Sequence, residues 1–77
     1  MLADTIWRAR CRLVSPGEHP LAIELTPESL DDLKQSPSWW MFMKTDEAGN
    51  VSKVYDMPLA LAGSNRIQAP DGHWEAL

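Results

Sequence analysis

Cys11, His19 and His73 are the side chains with the readiest chemistry in this chain, and they stand far apart in the sequence. A cysteine nucleophile needs a neighbouring base and surroundings that favour the thiolate. Cys11 lies in the segment Thr5–Val14, Thr-Ile-Trp-Arg-Ala-Arg-Cys-Arg-Leu-Val, where it shares a parity with Trp7, Ala9 and Leu13. Read as a strand, that parity assigns Cys11 to the core as a structural thiol. His19 and His73 fall in turn-like segments, where a solvated imidazole is the simpler reading. One cysteine and two histidines so scattered do not form a tetrahedral zinc site. Asp31 and Asp32 are adjacent, so on a helix they point in different directions and do not make an acid–base pair. The chain has no Gly-rich phosphate loop, no His-Glu-x-x-His zinc motif and no Gly-x-Ser-x-Gly elbow. These residues point away from an enzyme, and no catalytic residue, cofactor, metal or small-molecule substrate is assigned.

Binding chemistry is the alternative, and two stretches could supply it. The first is the alternation of Arg8, Arg10 and Arg12 with apolar residues, which reads as the polar face of a half-buried strand. Arginine forks suit phosphates, so this face is the basis for a nucleic-acid-binding alternative. Against it stands the charge layout. The net charge is −4. Residues 1–14 carry a net +2, and residues 15–32, with Glu18, Glu24, Glu28, Asp31 and Asp32, a net −5. A nucleic-acid binder is expected to be basic. The simpler expectation is that the arginines are neutralised across neighbouring strands, with Glu24 near the ladder. A third reading makes the acidic stretch a nucleic-acid mimic that blocks a protein.

The second stretch is Trp39-Trp40-Met41-Phe42-Met43, the most apolar run. Large side chains stand on both parities, which suggests a central strand or one whose outer face is covered. Four tryptophans in 77 residues could supply much of a small core, each burying roughly 150–250 Å². One short helix covers only one face, so Trp40 and Phe42 need a second cover: the C-terminal segment with Trp74, or a second subunit. Aromatic residues and Met are enriched at protein interfaces. Trp40, Phe42 and Trp74 are therefore the interface candidates.

These side chains depend on the elements that carry them. Thr5–Val14 and Leu21–Leu25 alternate as strands, joined at Ser15–Pro20 by a turn rich in Pro and Gly. Thr26-Pro27-Glu28 starts a helix: Thr26 can cap it, and Pro27 suits the first position. Leu30 and Leu33 share its buried face, and Ser36-Pro37 ends it. Ser38–Thr45 and Val51–Met57 read as strands around a hairpin loop at Asp46–Asn50, with Lys44 and Lys53 discouraging edge pairing. Residues 58–64 are compatible with a helical turn or an irregular connection. Asn65–Ala69 and His73–Glu75 flank the turn Pro70-Asp71-Gly72 as a terminal hairpin.

The expected fold is one small α+β domain spanning residues 1–77. It has an antiparallel sheet of four to six strands, in the order β-β-α-β-β with a C-terminal β-hairpin, packed on one short helix. With a single cysteine, no internal disulfide can form, which fits a reducing compartment. No apolar run approaches the ~20 residues of a membrane span, and the first residues lack the pattern of a secretory signal; a soluble cytoplasmic protein is expected. A chain this short buries only about 60% of its unfolded surface, which leaves oligomerisation as a route to stability. The functional expectation is a non-enzymatic protein-binding module, with another protein or a second copy of itself as partner. Such a module fits accessory or inhibitor roles of the kind that phages and mobile elements carry.

Overall fold

A computed structural model describes residues 2–19 and 21–77 as a small α+β domain of two helices and a six-stranded mixed sheet. The first element is helix α1, Leu2–Leu13, and this corrects the strand expected over Thr5–Val14. The period-2 pattern of the arginines coexists with a second pattern. Ala3, Ile6 and Ala9 are buried, with Leu2 and Leu13 packed beside them, and these recur at three- and four-residue steps. Leu, Ala and Arg are strong helix formers, and between Leu2 and Leu13 only Thr5 and Ile6 are β-branched. Asp4 in the first turn and Arg10 and Arg12 in the last complement the helix dipole. The helix places Cys11 in solvent and leaves Trp7 46% exposed, so neither belongs to the core expected for them; Leu13 is partly buried.

Ser15–Glu18 forms a turn, closed by Glu18 N–H donating to Ser15 O (2.9 Å). Pro20, the last residue of the expected turn, lies outside the described residues. Strand β1, Ala22–Leu25, buries Ile23 and Leu25 as its alternation requires. It is a central strand rather than half of an N-terminal hairpin. Helix α2, Pro27–Lys34, matches the expectation: Thr26 accepts from Ser29 N–H (3.2 Å), and Leu30 and Leu33 are buried.

The Trp-Met-Phe run departs from its expected strand. Trp39–Met41 is a 3-10 turn, and only Met43–Thr45 is extended, as β2. The Asp46–Asn50 loop leads to β3, Val51–Val54, as expected. The strand then stops early, because Tyr55 and Asp56 both take positive φ (47° and 65°) and reverse the chain in two residues. Residues Met57–Leu61 return as β4. β5, Arg66–Gln68, and β6, Trp74–Ala76, make the expected terminal hairpin.

The sheet order is β2-β3-β4-β1-β5-β6. β1 runs parallel to β4, with Ile23 beside Leu59, and antiparallel to β5, with Ile23 beside Ile67. The sheet is therefore mixed rather than purely antiparallel. A parallel pair needs a long crossover, and α2 with the β2–β3 hairpin provides it. Ile23, Leu25, Met43, Val54, Met57 and Ile67 join the buried faces of both helices in one core cluster. The alternate residues Ala22, Glu24, Ala60, Arg66, Gln68 and Trp74 fall on the opposite face, where none is buried. No helix among the described residues is long and apolar enough to cross a membrane.

Candidate functional site

The tight turn at Tyr55 organises an aromatic row at the β2 end of the sheet. A tyrosine at positive φ is uncommon, and packing holds it there. Its N–H donates to Phe42 O (2.7 Å). Its ring stacks on Phe42 (centroids 5.3 Å apart) and also meets Trp7 (5.0 Å, tilted by 47°). Arg10 lies 5.5 Å from the Trp7 ring centroid, a cation–π distance. Partial burial, and secondarily the charge of Asp4, raise the Tyr55 phenol above its ordinary pKa, so it stays neutral and packs as an aromatic.

Beyond Phe42 the row continues into solvent. The 3-10 turn is held by Trp39 N–H to Ser36 O (3.1 Å), Met41 N–H to Ser38 O (2.9 Å) and Phe42 N–H to Trp39 O (3.2 Å). This geometry turns Trp39 toward the core and sends Trp40 and Met41 outward, 66% and 70% exposed. A shallow groove of about 140 Å³ runs beside them, with Phe42 and Tyr55 in its wall and the Lys44–Asp56 ion pair (3.6 Å) at its rim.

The opposite edge carries a polar chain. His73 Nδ1 meets the Asp71 carboxylate, and its Nε2 lies 2.9 Å from Glu75 Oε2. Glu75 Oε1 in turn accepts from Arg12 Nη1 at 3.0 Å, which ties α1 to β6. An imidazole between two carboxylates donates to both only when protonated. The hydrogen bond to Glu75 and then that to Asp71 raise the His73 pKa. The same contacts lower the carboxylates: His73 acts most on Asp71, and His73 and then Arg12 on Glu75. All of these groups are solvated, so the chain is a surface staple.

The interface candidates are divided between the two ends. Trp40 and Phe42 share the β2 edge, the first exposed and the second half-buried. Trp74 lies at the β6 edge on the open face, with the Arg66 guanidinium 4.4 Å from its ring centroid. Glu24 pairs with Arg66 instead of the N-terminal arginines, which corrects the expected cross-strand partner. Arg8, Arg10 and Arg12 do not form a strand face: on α1, Arg8 and Arg12 lie one turn apart, and Arg10 swings over Trp7. His19 is exposed and joins no cluster, and no group of three or more metal-ligating side chains occurs among the described residues. Trp7, Met41 and Tyr55 are the surface residues absent from the interface candidates, Trp7 because its parity assigned it to the core. The helical stripe of Ala3, Ile6 and Ala9, which turns Trp7 outward, was the available signal.

No family model matches the chain, and no curated protein or solved structure is significantly similar to it.

Proposed function

We propose that this chain is a non-enzymatic protein-binding module that self-associates through the Trp40–Met41 surface. The observation behind it is the exposure of Trp40 and Met41 side by side, 66% and 70%, on a hydrogen-bonded turn. The turn presents them on fixed backbone, so little order is lost on docking. Trp is the residue most often found at interface hot spots, and Met adapts to a facing surface. A second copy fits as the occupant. A two-fold arrangement packs the apolar side chains together and rings them with the Lys44 and Asp56 charges of each copy. Association also offsets the limited burial available to a 77-residue chain. The nucleic-acid alternative has less to stand on, because the chain is acidic, with a net charge of −4, and Arg8, Arg10 and Arg12 do not line one strand face.

Light scattering across a concentration series tests the proposal. The expected result is a dimer for the wild type and a monomer for the Trp40→Ser/Met41→Ser double variant, with the same far-UV circular dichroism. A wild type that stays monomeric at high concentration overturns self-association.

A further inference from the structure

We propose that the trough between α1 and the free edge of β6 docks an extended acidic segment of a partner protein, which adds to the sheet as a seventh strand. β6 is the last strand, and its pairing with β5 fixes which of its main-chain groups are open. Ala69 N–H donates to His73 O (2.9 Å) and Leu77 N–H to Asn65 O (3.0 Å). In an antiparallel ladder the hydrogen-bonded positions alternate. His73, Glu75 and Leu77 thus face β5, while Trp74 and Ala76 turn N–H and C=O outward. The register, Arg66 with Ala76, Ile67 with Glu75 and Gln68 with Trp74, has no irregularity, and the strand contains neither Lys nor Pro. Bulges, lysines and prolines commonly guard free edges. β6 has none of these; its guards are its three-residue length and the Glu75 carboxylate, which Arg12 and His73 hold.

The trough beside this edge has a volume of about 300 Å³ and is lined by Thr5, Arg8, Ala9, Arg12, Ala76 and Leu77. Ala76 pairs with Arg66, so its side chain belongs to the face away from the core, and what it offers the trough is main chain. Ala9 and Leu77 give an apolar floor. Arg8 and Arg12 supply the charge. Arg8 has no ion-pair partner among the described residues, and Arg12 keeps a 60% exposed side chain while holding Glu75. The facing acids are already engaged: Glu75 by Arg12 and His73, and Asp71 by His73. With Arg12 paired to Glu75, Arg8 is the trough cation left without an ion-pair partner among the described residues, in a chain whose net charge is −4. Spacing also fits. Helix positions four apart are separated by about 6 Å, and alternate strand residues by about 6.8 Å. Carboxylates at every second position of the added strand can therefore meet both guanidiniums. Main-chain hydrogen bonds supply affinity and the arginines choose the sequence, as in other strand additions.

The test is a titration of the isotope-labelled protein, followed by amide and arginine Nε–H resonances, with an acetylated, amidated peptide of alternating Glu and Val. Expected are shifts at Trp74, Ala76, Arg8 and Arg12, and no such shifts with the Lys–Val counterpart. A Glu–Val peptide N-methylated on alternate amides should fail to bind. Arg8→Glu, which breaks no ion pair among the described residues, should weaken the acidic peptide about fivefold, the value of one exposed pair. No binding at millimolar peptide, equal binding of the Lys–Val or N-methylated peptide, or stronger shifts of the same residues by a thymidine decanucleotide would each overturn the proposal. The trough lies at the sheet edge opposite Trp40, so this result and the self-association result are independent.

Discussion

At the β2 edge, Trp40 and Met41 stand in water beside a strand whose register shifts between Lys44 and Thr45. At the β6 edge the register is regular, Trp74 lies on the open face under Arg66, and a polar chain runs through Asp71, His73, Glu75 and Arg12. The bulge and Lys44 make the first edge a poor template for another strand, so the self-association proposed there uses side chains. The second edge offers ordered main chain, so the strand addition proposed there uses the backbone. The two ends of one sheet thus differ in what they expose, and α1 reaches both: Trp7 touches Tyr55 at one end, and Arg12 holds Glu75 at the other.

Loosening α1 should have the largest effect on both ends. Ile6 is fully buried, and Ile6→Ala should cost about 2–5 kcal/mol. Urea unfolding should show the loss, and resonances of Tyr55 and Glu75 should report both ends weakening together. If only one end responds, α1 does not couple them. A smaller, opposite effect is expected at the turn that builds the aromatic row. Asp56→Gly relieves a positive φ of 65° and should raise stability by about 0.5–1 kcal/mol, while the Tyr55 ring contacts persist in its chemical shifts.

Acidity should separate the ends. A raised His73 pKa means that its contribution is complete below the unfolded value near 6.5 and is lost as pH rises through the folded value. The lowered pKa values of Asp71 and Glu75 mean that theirs is present above their ordinary range near 4 and lost as pH falls through the folded values. Amide protection of the β5–β6 hairpin should therefore peak at mildly acidic pH. His73→Gln should remove the decline on the neutral side without altering the Trp40 environment. The smallest expected effect is on stability at the other end. Trp40→Ser, at an exposed site, should shift the unfolding free energy of the monomer by less than about 0.5 kcal/mol. A larger loss in denaturant unfolding would make Trp40 part of the core.

The comparison also shows which parts of the molecule local sequence could reveal. α2 was legible because Thr26, Pro27 and the Leu30/Leu33 pair act within a few residues of one another. The Asp46–Asn50 loop and the terminal hairpin were legible for the same reason: Asp46 Oδ1 accepts from Ala48 and Asn50 N–H (2.9 and 3.0 Å), and Gly49 and Gly72 supply positive φ. The arginine segment misled because it satisfies two periods at once, and the helical one prevails only when a core receives Ala3, Ile6 and Ala9. The Trp-Met-Phe run misled because apolar content alone does not distinguish a buried strand from an exposed turn. Of the candidate site, Trp40 was legible as a residue that needs a cover. Tyr55 was not, because its role rests on contacts with Phe42 and Trp7, which are remote in the chain.

Short-range features of the chain specify the α+β class, the helix over Pro27–Lys34, the two hairpin loops and more aromatic surface than one short helix could cover. These depend on caps, turns and side-chain period, all short-range. Only the tertiary structure decided that the first segment is a helix, that β1 lies between a parallel and an antiparallel neighbour, and that Trp40 and Trp74 stand at opposite edges. Those outcomes depend on which distant apolar faces meet, and no local spacing encodes that choice.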